Sequence, residues 1–124
     1  MLRFIHLGVL LAAGSWLIPG SVDASGSIGT GAGKVSPRAA YSQGKALTFN
    51  EIVCDDCPIQ KDELDRDRAE SLTASLQAVY EGGQAQAGDA DAVRALCAGA
   101  TADDEDCALK MELVHYFLSR RYKL

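Results

Sequence analysis

The sequence has little positive charge. Twelve Lys and Arg stand against 17 Asp and Glu, for a formal net charge of −5. The acids gather in two places, Cys54-Asp55-Asp56-Cys57 through Glu70 and Thr101 to Asp106. A protein that grips nucleic acid displays a basic face, so this balance argues against that class of partner. The one basic run, SRRYKL over Ser119–Leu124, closes a helical pattern, where positive charge complements the carbonyl end of the helix dipole.

Ligands for metals and haem are equally scarce. Histidine occurs twice, and the CxxC of IVCDDCPIQ is followed by Pro58 where a haem-attachment motif needs a histidine to bind iron. The other cysteines, Cys97 and Cys107, have nine residues between them, a poor spacing for a zinc ribbon. The acid-rich DELDRD of Asp62–Asp67 lacks the glycine and closing glutamate of a calcium loop, and it lies inside a helical pattern. No serine or cysteine nucleophile has an evident partner, and no acidic pair stands apart from the general acidity. His115 reads as a packed or solvated residue, and Met111 as core. Beyond the bare CxxC, the sequence therefore points to no catalytic, cofactor or metal site.

Only one apolar run is present, and it lies at the N-terminus. Met1–Arg3 form a positive start, Phe4–Ile18 an apolar stretch, Pro19-Gly20 a breaker, and Val22-Asp23-Ala24 a small-x-small cleavage pattern. These are the parts of an export signal, residues 1–24, with cleavage expected after Ala24. The run is shorter than the ~20 residues of a spanning helix, and no second follows, so no membrane span is expected once it is removed. Residues 25–35, rich in Gly and Ser, read as a leader that cannot bury enough apolar surface to offset its own ordering. Residues 36–124 remain for a single domain, a size at which covalent staples matter.

Within that domain the pattern is helical. Ser36-Pro37 suit a helix start, and RAAYSQGKAL continues it with Ala40, Gly44 and Leu47 on one face. Gly44 costs a helix about 1 kcal/mol relative to Ala, which points to close approach of another backbone. Thr48–Val53, with β-branched and aromatic residues, reads as a briefly extended connector. The segment from Lys61 to Gly83 places Leu64, Arg68, Leu72, Leu76 and Val79-Tyr80 on one face, an amphipathic helix stopped by Gly82-Gly83. Asp89 is placed to cap a third helix ending at Gly99. Thr101 with Asp104 resembles a capping box for a fourth, whose seam is Cys107, Met111, Val114 and Leu118, broadened by Leu109, Leu113 and Phe117. No strand pattern and no fixed-period repeat competes.

Four cysteines in an exported chain favour disulfides. Three pairings exist. Joining Cys54 and Cys57 to Cys97 and Cys107 would close loops of about forty to fifty residues, each stabilising by roughly 4 kcal/mol in the chain-entropy relation. That cross-pairing is the expectation, with local pairing of Cys54 to Cys57 and Cys97 to Cys107 as its alternative. A thiol redox site at the CxxC is the competing use. A helix start would lower a thiol pKa, but no strand-helix-strand pattern surrounds the motif, and Asp55 and Asp56 oppose a thiolate.

Two stretches carry a resemblance. AAYSQGKALTFNEIVCDDC is similar to the opening of small class I c-type cytochromes, and LVHYFLSRRYKL to their final helix, with Cys54 and Cys57 at the thioether positions and Pro58 breaking the pattern. The tyrosine before a Gly-Lys step, the central cysteines and the RYKL ending more closely resemble small exported proteins of proteobacteria. The resemblance implies an exported helical module, with Gly44 letting the first and last helices cross closely. The combined expectation is an all-α bundle of about four helices stapled by two disulfides through Cys54, Cys57, Cys97 and Cys107. Its expected role is that of a non-enzymatic periplasmic binding or accessory protein, without cofactor, whose partner is another periplasmic protein or an envelope component.

Overall fold

A computed structural model describes residues 35–124, so the expected export signal and most of the leader lie outside the described residues. Four helices follow in order: α1 over Pro37–Leu47, α2 over Arg66–Tyr80, α3 over Ala90–Cys97 and α4 over Glu105–Tyr122. The all-α architecture expected from periodicity and the two disulfides expected from the cysteine count are both observed.

The local signals at α1 are used as read. Ser36 Oγ accepts a hydrogen bond from the Ala39 amide at 3.2 Å, and Pro37 occupies the first turn. The connector differs from expectation. Thr48–Ile52 is not extended but widens into a π-helical turn, with the Val53 amide donating to Thr48 O at 2.7 Å. Thr48 is fully buried, and its hydroxyl donates to Gly44 O at 2.7 Å. Burial of Thr48, Ile52 and Val53 in one pass outweighs the β preference of their side chains. Val53 is where the backbone becomes extended, bridging to Ile59.

The long helix also starts later than its charge pattern suggested. Lys61–Glu63 forms a separate 3₁₀ turn, and Asp65 caps α2 by accepting from the Arg68 amide at 2.8 Å. At α4 the cap is Asp104, which accepts from the Cys107 amide at 3.0 Å, three residues beyond Thr101. The carbonyl end of α4 is met from another helix as well as by its own basic residues. Arg66, the first residue of α2, donates to Tyr122 O at 3.3 Å and to Lys123 O at 3.4 Å.

Helix α4 is the axis of the fold, burying Met111, Leu113, Val114, Phe117 and Leu118. One side receives α1 and the π-helical turn after it, from which Tyr41 and Phe49 respectively meet the Phe117 ring edge-on at 5.1 and 5.9 Å. The closest point is Gly44. A side-chain carbon placed there would collide with the Leu113 carbonyl oxygen and lie 2.8 Å from both the Leu113 carbonyl carbon and Phe117 Cβ. On another side lie Ala69, Leu72 and Leu76 of α2 and Ala92, Val93 and Leu96 of α3. Together with Ile52, Val53 and Ile59 these form one continuous core.

Candidate functional site

The disulfides pair locally, which overturns the expected cross-pairing. Cys54 joins Cys57 and Cys97 joins Cys107, with Cα–Cα distances of 4.8 and 4.9 Å. The reason lies in how the two segments are held. Val53 and Ile59 are both fully buried; the Ile59 amide donates to Ile52 O and the Cys54 amide to Ile59 O, so the chain between them turns back on itself and brings the sulfurs together. Cys97 ends α3 and Cys107 lies in the first turn of α4, so the corner between these helices is itself the bridge.

Short loops change the energetics. Closing spans of 3 and 10 residues stabilises by about 2 and 3 kcal/mol in the chain-entropy relation, less than the long loops would have given. Replacing Cys97 and Cys107 together by Ala is therefore expected to cost about 2–3 kcal/mol, read as a lower urea midpoint. Peptide mapping of unreduced protein is expected to recover Cys54 linked to Cys57. A Cys54–Cys97 peptide would refute the local pairing. Nor does the CxxC stand at a helix start, because irregular chain and the 3₁₀ turn separate it from the Asp65 cap of α2. The dipole that lowers thiol pKa values in redox motifs is thus not aimed at it.

A groove of about 590 Å³ lies between the C-terminal half of α2 and a face of α4 that, among the described residues, is lined by no other helix; a shallower hollow of about 400 Å³ lies between Val79, Val93 and Ala100. The floor of the groove is Leu76 and Met111, both almost fully buried, and its lining is predominantly apolar. Tyr80 and Tyr116 stand on its two sides, with Glu112, His115, Ser119 and Arg120 among the polar groups. Tyr80 Oη donates to Glu112 Oε1 at 2.6 Å, tying α2 to α4. Arg120 lies over the Tyr116 ring at 5.5 Å. An apolar floor with a few placed polar groups is the usual constitution of a ligand site.

Half-burial pushes the His115 imidazole below its ordinary value, because removal from water disfavours the charged form. Ser119 Oγ lies 3.5 Å from its Nδ1. The unfolded chain therefore takes up a proton before the folded one does as pH falls. The His115 contribution to stability is full above about pH 6.5 and declines as pH drops through the lower, folded-state value. Urea unfolding at about pH 7.5 and pH 5.5 is expected to show a smaller loss on acidification for His115→Gln than for the parent; equal losses would remove this assignment.

A second polar cluster lies inside the bundle. Asp89 is fully buried, and its Oδ2 accepts from Ser71 Oγ and Ser75 Oγ, each at 2.7 Å. Arg68 Nη2 stands 3.5 Å from Oδ1 and donates to Gly88 O at 2.6 Å. Asp89 is thus the N-cap residue of α3, but its side chain makes no bond to the α3 amides and turns toward α2 instead. This arrangement fixes the loop before α3 and offers no open face for chemistry.

Periodicity accounts for Met111 and Leu76 as core, and both are buried. What it did not reveal is the third face of α4, where Glu112, His115, Tyr116 and Ser119 recur at helical spacing and stay only partly covered. Two aromatic-bearing residues among polar ones on that face were the available signal. Among the described residues no group of three or more His, Cys, Asp or Glu is placed to hold a metal ion, and no helix is long and apolar enough to cross a membrane. Comparison with protein-family models, with curated proteins and with solved structures returns no match.

Proposed function

We propose that this chain is an exported, non-enzymatic binding module that engages a periplasmic or envelope partner through the groove between α2 and α4. The groove carries the reading: among the described residues α4 leaves a face there without a covering helix, floored by Leu76 and Met111 and flanked by Tyr80 and Tyr116. Tyrosine suits such a role because it offers a large apolar body and a polar tip at low entropic cost. Two disulfides support an oxidising compartment, as does the N-terminal signal pattern.

Two measurements test it. Expressed with its own N-terminus in a Gram-negative host, the protein is expected in the periplasmic fraction with a mass starting at Ser25; retention in the cytoplasm with Met1 in place would end the export claim. For binding, a photoreactive benzoylphenylalanine replacing Tyr116 is expected to cross-link a discrete envelope species that the same group at exposed Arg38 on α1 does not capture. Identical capture from both positions, or none from 116, would defeat the groove assignment.

A further inference from the structure

We infer that the Cys54–Cys57 disulfide is a site of thiol–disulfide exchange, and that its reaction partner is a thiol carried in basic surroundings. The inference is independent of the groove and starts from the difference between the two bridges. Cys97 and Cys107 are 6% and 2% exposed, sealed at the α3–α4 corner as part of the core. Cys54 and Cys57 are only half-buried, on a turn whose tip, Asp55-Asp56, is exposed. Exchange requires a thiolate to reach a sulfur, and one bridge alone presents that access.

The loop is also built to open without disturbing the fold. Its stems, Val53 and Ile59, are anchored in the core, and the backbone hydrogen bonds that hold them, Ile59 N–H to Ile52 O at 3.1 Å and Cys54 N–H to Ile59 O at 3.2 Å, involve neither sulfur. Gln60 Nε2 donates to Asp55 O and Cys57 O at 3.1 and 3.3 Å, a further tie that does not depend on the bridge.

Charge then selects the partner. Asp55 and Asp56 lie between the two cysteines in sequence, with Glu51, Asp62 and Glu63 on the flanks and Lys61 as the one nearby cation in sequence. Among the described residues none of these carboxylates forms an ion pair; the ion pairs present are Arg68–Asp89, Arg94–Asp91 and Lys110–Asp106. In the first step an incoming thiolate bonds to one sulfur, the Cys54–Cys57 bond breaks, and the other cysteine leaves as a thiolate. A second thiol attacks the mixed disulfide, so that two thiols lose two electrons and become a disulfide while Cys54 and Cys57 are reduced and take up two protons. Both the attacking and the departing anion form on a loop that carries these carboxylates. A positive group beside the incoming thiol offsets both repulsions, and a negative one adds to them. The same acids that make this motif a poor thiolate nucleophile leave it an acceptor that discriminates by charge.

The experiment exposes the native, unreduced protein to excess cysteamine, 2-mercaptoethanol or 2-mercaptoethanesulfonate, followed by alkylation and peptide mapping, with rates compared per thiolate. Cys54 and Cys57 are expected to be labelled first, with Cys97 and Cys107 protected. Cysteamine is expected to act roughly tenfold faster than the sulfonate at low ionic strength, the ratio collapsing toward one at about 1 M salt. In the double variant Asp55→Asn/Asp56→Asn, whose exposed positions leave the core untouched, the ratio is expected to shrink in the same way. Labelling of Cys97 and Cys107 first or together with the other pair overturns the site. Equal rates for the three thiols, or a preference that survives the asparagine variant, overturns the partner class. Either failure leaves the groove cross-link result standing on its own.

Discussion

Gly44→Leu is expected to lower stability by more than about 4 kcal/mol, enough to unfold a marginal domain or to detach α1. The basis is backbone against backbone. A Cβ at this position meets the Leu113 carbonyl and Phe117 Cβ at distances that no rotamer choice relieves, because the obstructing atoms belong to α4 itself. Helix α1 must then move off α4, and the edge-on contacts of Tyr41 and Phe49 with Phe117 go with it. Each apolar side chain returned to water adds about 1.5–3 kcal/mol. Gly44→Ala tests the same contact with the smallest addition and should follow the same direction, despite the better helix propensity of alanine. Urea midpoints for both variants decide the matter. A gain in stability on Gly44→Ala, as propensity alone would give, would show that the helices do not cross at this residue.

The second large effect is at Asp89. Asp89→Ala is expected to cost about 3–5 kcal/mol, because the buried carboxylate is the shared acceptor for two hydroxyls and the partner of a guanidinium. Without it, the buried Ser75 hydroxyl keeps a donor with nowhere to direct it while still accepting from the Gln86 amide at 3.1 Å, whereas Ser71 retains Gln86 Oε1 at 3.0 Å as an acceptor. Arg68, partly exposed, can turn toward water, which places the cost nearer the lower end of that range. Asp89→Asn retains an oxygen to accept from the serines and should lose only about 1–2 kcal/mol. Equal losses from the two substitutions would mean that charge pairing with Arg68, and not acceptance of the serine hydroxyls, is what matters at this position.

Much of the fold was legible from neighbouring residues because the interactions that set it are local. Ser36-Pro37 announce α1, the 3.6-residue spacing of Met111, Val114 and Leu118 marks the seam of α4, and a glycine inside α1 signals close crossing. The misreadings fall where distant parts of the chain decide. Thr48–Ile52 has residues suited to a strand, yet among the described residues it has no strand partner and gains more by burying Thr48 and Ile52 as a widened helical turn. Asp89 looks like an ordinary cap until α2 brings Ser71 and Ser75 against it.

Sequence by itself determined where the helices lie, which of their faces are apolar, and that four thiols were available for bridging, since each follows from side chains within a turn or two of one another. Only the tertiary structure decided which thiols meet and which helix face stays uncovered. Sulfur pairing depends on Cα separations of under about 7 Å, and those were set by the buried anchors Val53 and Ile59 and by the α3–α4 corner. The groove exists because, among the described residues, α1, α2 and α3 cover α4 only in part, leaving Glu112, His115 and Tyr116 partly covered, and that is a property of packing that no single helix carries in its own residues.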